Sequence, residues 1–194
     1  MLEFLNQIDL WLFNLINRTL TCQILDYAMI TITDKRFGWL LFSVVLGVLL
    51  VEKRRRGLVS FFLAIITIIC ADQLSSSLLK PLLAIPRPPY SFSGVRLLVT
   101  ATNSGSFPSS HAAVQFGFAT LVQLRHKGLG WVMFPIASVV SYSRVYVGVH
   151  YPSDILGGAA VGVACAFLVL GLFWAGELLF AKKRLQSIWG KLHF

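Results

Sequence analysis

Charge is what this chain has least of. Only 13% of its residues are Asp, Glu, Lys or Arg, against about 25% in an ordinary soluble domain. Acid is the scarcer sign, with 8 acidic residues against 17 basic ones. A surface so poor in charge does not suit a soluble globule. The three cysteines, Cys22, Cys70 and Cys165, have no metal-like spacing. Two of them fall inside apolar runs and read as small buried hydrophobes, not as a disulfide framework. There is no Gly-rich nucleotide loop and no His/Cys/carboxylate set spaced for a metal, so neither cofactor nor metal is expected. The N-terminus lacks a basic n-region and a small-residue cleavage site, which argues against a signal peptide. The net charge of +9 does not imply nucleic acid, because the cations sit in short clusters beside apolar runs.

What is there is apolar. Hydrophobic residues make up 56% of 194, and mean hydropathy is +0.74. Five runs stand out, at 37–51, 58–79, 107–124, 129–147 and 155–181. A helix needs about 20 residues to cross a bilayer core, and the last four runs reach that length. Basic clusters at 53–56, 125–127 and 182–184, with Lys191 beyond, alternate with the runs. All three fall on one face if the runs cross, and by the positive-inside rule that face is cytoplasmic. His126 and His193 lie near these cations and read as solvated. In residues 1–33, Leu2, Leu5, Ile8, Leu12, Leu15 and Ile16 recur at helical spacing between polar residues. That reads as a helix lying in the outer interface, with a sixth span as the alternative. The expected fold is an all-α polytopic transmembrane bundle, five to six spans plus that N-terminal amphipathic helix, in one domain over 1–194.

Three polar blocks interrupt the apolar pattern: K-x6-R-P at Lys80, Arg87 and Pro88; P-S-S-H at Pro108, Ser109, Ser110 and His111; S-R-x5-H-x3-D at Ser143, Arg144, His150 and Asp154. Charged residues are costly near hydrocarbon, yet the topology above brings every one of these to the face opposite the basic clusters. The plain alternative for Lys80 and Arg87 is a pair of cations snorkelling to an interface. Prolines on both sides of Arg87, however, fix a guanidinium fork that suits phosphate oxygens. His111 begins an apolar helix, whose unpaired amides and dipole favour an anion. Ser109 and Ser110 can add hydroxyl donors or simply cap that helix. His150 and Asp154 are four apart and share a side if helical. Asp154 then holds one ring nitrogen and leaves the other free to attack, or else the pair caps a helix beginning near Pro152. Gly158, Gly162 and Ala166 form a small-residue face for helix packing.

In order and spacing, the blocks resemble the signature of the type 2 phosphatidic acid phosphatase superfamily, membrane lipid phosphatases related to vanadium haloperoxidases. The pattern departs once, with Ser110 where the family has Gly. The resemblance implies metal-independent hydrolysis, with His150 as nucleophile, Asp154 orienting it and His111 as acid and base. Lys80, Arg87, Arg144 and the amides near Ser109 and Ser110 would hold the phosphate. The expected substrate is a membrane lipid bearing a terminal phosphate or diphosphate, with lipid A 1-phosphate or undecaprenyl diphosphate ahead of phosphatidylglycerophosphate and phosphatidic acid. The expected setting is a bacterial inner membrane with the site facing outward. A vanadate-dependent oxidase and a non-enzymatic anion transporter are the competing readings.

Overall fold

The structure is a computed structural model that describes residues 2–51 and 54–192. Lys53 of the first basic cluster, and His193, lie outside the described residues. Two helices open the chain, α1 (Leu2–Asn14), closed by a π-helical turn, and α2 (Gln23–Thr33). Asp34 then leaves the helical region, and its Oδ1 accepts the Arg36 amide at 2.7 Å. That break starts α3 (Lys35–Val51). The second apolar run is α4 (Arg54–Gln73), which continues through a π-helical segment, Leu74–Leu79, into α5 (Lys80–Leu83). Ala84 ends it in the left-handed conformation, at φ 48°. A short α6 (Pro88–Ser91) punctuates the proline-rich loop, and α7 (Ser110–Arg125), α8 (Lys127–Tyr146) and α9 (Pro152–Leu192) complete an all-α fold with no strand among the described residues.

Each expected run is therefore helical. Two stretches among the described residues, Arg55–Ser91 and Pro152–Arg184, are long and apolar enough to cross a membrane, and Arg36–Val51 is apolar but shorter. Helix α7 has only 16 residues and occupies the middle of the bundle against α4, α8 and α9. Its buried residues include Ala112, Ala113, Gly117, Phe118, Leu121 and Val122, the all-round apolar pattern of an interior helix. The small-residue face of α9 makes this possible. A methyl group added at Gly158 or Gly162 would run into the Ser109 and Ala113 carbonyls of α7, so glycine lets the two backbones touch. Phe42, Leu63, Phe118, Met133 and Leu170 fill the core around the C-terminal half of α7. His126 is buried here, its Nε2 2.9 Å from the Ser60 hydroxyl, so the expectation of a solvated imidazole is corrected.

Candidate active site

The α8–α9 connection is a tight turn, and His150 sits in it, before the first residue of α9. The i,i+4 relation to Asp154 is thus made by a turn feeding a helix start, not by helix periodicity. His150 Nδ1 lies 3.0 Å from Asp154 Oδ2. The same oxygen accepts the Tyr151 amide at 2.8 Å and the Ser106 hydroxyl. Asp154 therefore serves both readings at once, capping α9 and holding the imidazole. Both side chains are almost wholly removed from solvent, at 1% and 2% exposure.

Arg87 approaches the other ring nitrogen. Its Nη1 is 3.2 Å from His150 Nε2 and 3.0 Å from the Val149 carbonyl. Its Nε donates to the Ser104 carbonyl at 3.0 Å, and Nη2 donates to the Ser104 hydroxyl at 3.2 Å. A guanidinium has donors and no acceptor. Nε2 must therefore offer its lone pair to Arg87, and the ring proton is on Nδ1, facing Asp154. Burial is the main influence on this imidazole. Together with the charges of Arg87, Arg144 and Lys80, it holds His150 well below the ordinary histidine range. The ring is neutral at physiological pH, with its lone pair turned towards cations.

Lys80 and Arg87 are 6% and 5% exposed, so they do not snorkel. They line a cavity of about 570 Å³ with Ser76, Tyr90, Asn103 and Ser104. Arg144 donates to Thr33 Oγ1 of α2 at 2.6 Å, while its Nε is buried with no hydrogen-bond partner. An unmatched buried donor of this kind is costly and suits an anion. Arg144, Arg87 and Lys80 act electrostatically on the same imidazole, so the first and third blocks converge.

The second block arrives through α7. Ser109 is its N-cap, accepting the Ala112 amide at 3.5 Å, and its own amide is bonded to the Asp154 carbonyl at 3.0 Å. This backbone bond locks the P-S-S-H segment beside the third block. His111 lies in the first turn of α7, half-buried. Ser110 behaves differently from the sequence expectation. Its hydroxyl is 2.9 Å from that of Ser76, which donates to Asp72 Oδ1 at 3.3 Å. A serine hydroxyl has one proton, so Ser76 spends its own on Asp72 and Ser110 is the donor between the two serines. The Ser110 proton points at α4's continuation, and what Ser110 offers an anion here is its backbone amide.

Several participants lie outside the three blocks. Ser106, fully buried, bonds Asp154 and lies 3.4 Å from His150 Nδ1. Ser104 seats Arg87, Thr33 seats Arg144, and Ser76 seats Ser110. Ser104 and Ser106 flank Gly105 just ahead of P-S-S-H, and that proximity was the one signal available. Thr33 and Ser76 had none, since their partners are 111 and 34 residues away.

Residues 58–177 match the family described as the PAP2 superfamily. A lipid A 4'-phosphatase of Bacteroides thetaiotaomicron is 33% identical over 170 residues, covering 84% of this chain and 75% of that protein. The undecaprenyl-diphosphatase BcrC of Bacillus subtilis is 31% identical over 83 residues, 43% of this chain and 42% of that protein. Among solved structures, Aquifex aeolicus LpxE superposes with a TM-score of 0.71 at 29% identity, covering 84% of this chain and 95% of that one.

Proposed function

The chain belongs to the PAP2 superfamily, and from that premise we propose that it is a membrane lipid phosphatase releasing terminal phosphate through a phosphohistidine at His150. The observation that carries this reading is the orientation of one imidazole, Nδ1–H on Asp154 and the Nε2 lone pair on Arg87. Four of the five N–H groups of Arg87 are taken by Ser104, Val149 and His150. A phosphate entering between Arg87 and His150 draws Nη1 onto its oxygens and uncovers the Nε2 lone pair.

In the first step Nε2 attacks phosphorus, and the bond to the leaving oxygen breaks. His111 gives that oxygen a proton. The ring becomes a phosphorylated imidazolium, whose charge the Asp154 carboxylate balances. In the second step water attacks phosphorus, His111 takes its proton, and the P–N bond returns its electrons to Nε2. Arg87, Arg144, Lys80 and the Ser110 amide neutralise the three non-bridging oxygens. Phosphoryl transfer depends mainly on positioning and charge stabilisation. Three cations supply the charge that metals supply in kinases, so the reaction needs no metal.

The substrate is a lipid phosphate or diphosphate in the outer leaflet, lipid A phosphate or undecaprenyl diphosphate first, because relatives named for both are similar to this chain. In this reading five or six segments cross a bacterial inner membrane, α1 lies in its outer interface, and residues 1–194 act as one domain. The test is phosphate release, in EDTA, from purified lipid A 1- and 4'-phosphates, undecaprenyl diphosphate, phosphatidylglycerophosphate and phosphatidic acid. Release from at least one, absent in His150→Ala, is expected. No release from any, or release only with added magnesium or zinc, overturns the proposal.

A further inference from the structure

Asn17 lies in the π-helical turn, Leu15–Thr19, that closes α1, far in sequence from the three blocks and outside the matched residues 58–177. It is nonetheless fully buried. Its Nδ2 donates to the Tyr146 carbonyl at 2.7 Å and to the Arg96 carbonyl at 2.9 Å, and its Oδ1 accepts the Arg96 amide at 2.9 Å. The carboxamide thus ties the last residue of α8 to the loop that crosses over it. Gly148 follows at φ +86°, where a Cβ would meet the Arg96 carbonyl at 2.7 Å and Asn17 Nδ2 at 3.2 Å. The turn is pressed flat against Asn17, and only glycine fits there. The loop adds a further bond to the same turn, from the Leu98 amide to the Val147 carbonyl at 3.1 Å.

Helix α1 also reaches the far side of His150. Asp9 accepts the Ser153 amide at 2.8 Å and the Ser153 hydroxyl at 2.6 Å, capping α9 from outside. Phe13, fully buried, packs against the rings of Tyr151 at 5.7 Å and Phe92 at 5.6 Å. The stretch from Asp9 to Asn17 therefore grips residue 146 before the imidazole and residues 151 and 153 after it. The hydrogen bonds of the His150 ring run to Arg87, Ser106 and Asp154, not to this grip.

We propose that Asn17 is a positioning residue, holding the turn that aims His150 Nε2 at phosphorus, with Asp9 and Phe13 as the second hold on the same turn. The inference rests on the hydrolase reading above. A misplacement of about 1 Å at a reacting atom can cost about 100-fold in rate. Loss of the carboxamide should therefore appear in the chemical step more than in substrate binding.

The experiment uses the full chain in detergent and the lipid phosphate that the parent hydrolyses fastest. Asn17→Ala should lower kcat by about 10- to 100-fold with KM within about threefold of the parent. Inhibition by vanadate, which resembles the phosphorus centre in flight, should weaken in step with kcat/KM, while inhibition by inorganic phosphate stays put. Asn6→Ala, on the exposed face of the same helix, should match the parent. A folded Asn17→Ala protein with parental kcat per folded molecule, or with loss confined to KM, overturns the inference. If that variant does not fold, Asp9→Ala decides at the exposed end of the grip: a lowered kcat with unchanged KM supports the inference, and a parental kcat overturns it. A parent inactive on every lipid phosphate would instead sink the hydrolase reading, so the two failures are told apart.

Discussion

Replacing Asp154 by Asn exchanges one carboxylate oxygen for an amide and should turn the nucleophile around. In the parent, Oδ2 accepts from His150 Nδ1, Ser106 and the Tyr151 amide. All three donors meet at that one oxygen, so the Asn amide must turn about its Cβ–Cγ bond for its oxygen to keep Ser106 and the Tyr151 amide. Its nitrogen then faces His150 and donates, and Nδ1 must become the acceptor. The ring proton shifts to Nε2, the lone pair leaves the phosphate side, and an N–H faces the Arg87 guanidinium that stood 3.2 Å away. The imidazolium formed on attack also loses its counter-charge. The same swap in the serine protease triad costs about 10⁴-fold in kcat, or about 5.4 kcal/mol at 1.36 kcal/mol per tenfold. A loss of that order is expected here in phosphate release from detergent-dispersed lipid, with the melting temperature close to the parent's. Ser106→Ala should cost far less, because it removes one donor to Asp154 and leaves the tautomer alone. An Asp154→Asn rate within about tenfold of the parent would refute the reasoning, since both the tautomer and the counter-charge to the imidazolium formed on attack would then be worth little.

Two further outcomes follow from the same geometry. His150 is neutral when folded and held well below the ordinary range, so above about pH 6.5 both states are neutral and its contribution to stability is whole. As pH falls below that value the unfolded chain takes up a proton that the folded chain refuses, and stability declines by up to about 1.4 kcal/mol per pH unit. Melting temperatures between pH 7 and pH 5 should fall more steeply in the parent than in His150→Gln, and equal slopes would contradict the assignment. For orientation, single cysteines near Gly94 and near Lys183, in a background without Cys22, Cys70 and Cys165, separate the two faces: an impermeant thiol reagent on intact cells should label the first and spare the second. The reverse pattern would put the histidines in the cytoplasm.

The juxtaposition of the second and third blocks was legible because their spacing is local. His150 and Asp154 are four apart, and Pro152 and Ser109 announce the helix starts that bring both blocks together. The glycines of α9 were legible as a packing face because their period is helical. Less visible was how the burial is shared out. The apolar runs look alike in sequence, yet α7, built on Ala112, Ala113 and Gly117, is interior to the bundle, while α9 exposes Leu168, Leu172 and Leu178. The π-helical segment before Lys80 leaves no trace in hydropathy, and it sets which way Ser76 faces. Asn17 read as one more polar residue on an amphipathic helix. Its partners are 79 and 129 residues away, a separation over which no periodicity carries information.

The central claim is that phosphorus becomes bonded to His150 Nε2. Brief incubation with lipid substrate labelled in its terminal phosphate, an alkaline quench that preserves phosphohistidine, and peptide mapping test it directly. The label should reside on the peptide containing His150, persist in His111→Ala where turnover of the intermediate is slowed, and be missing in His150→Ala. Label on another residue, or full-rate phosphate release by His150→Ala, would contradict the account.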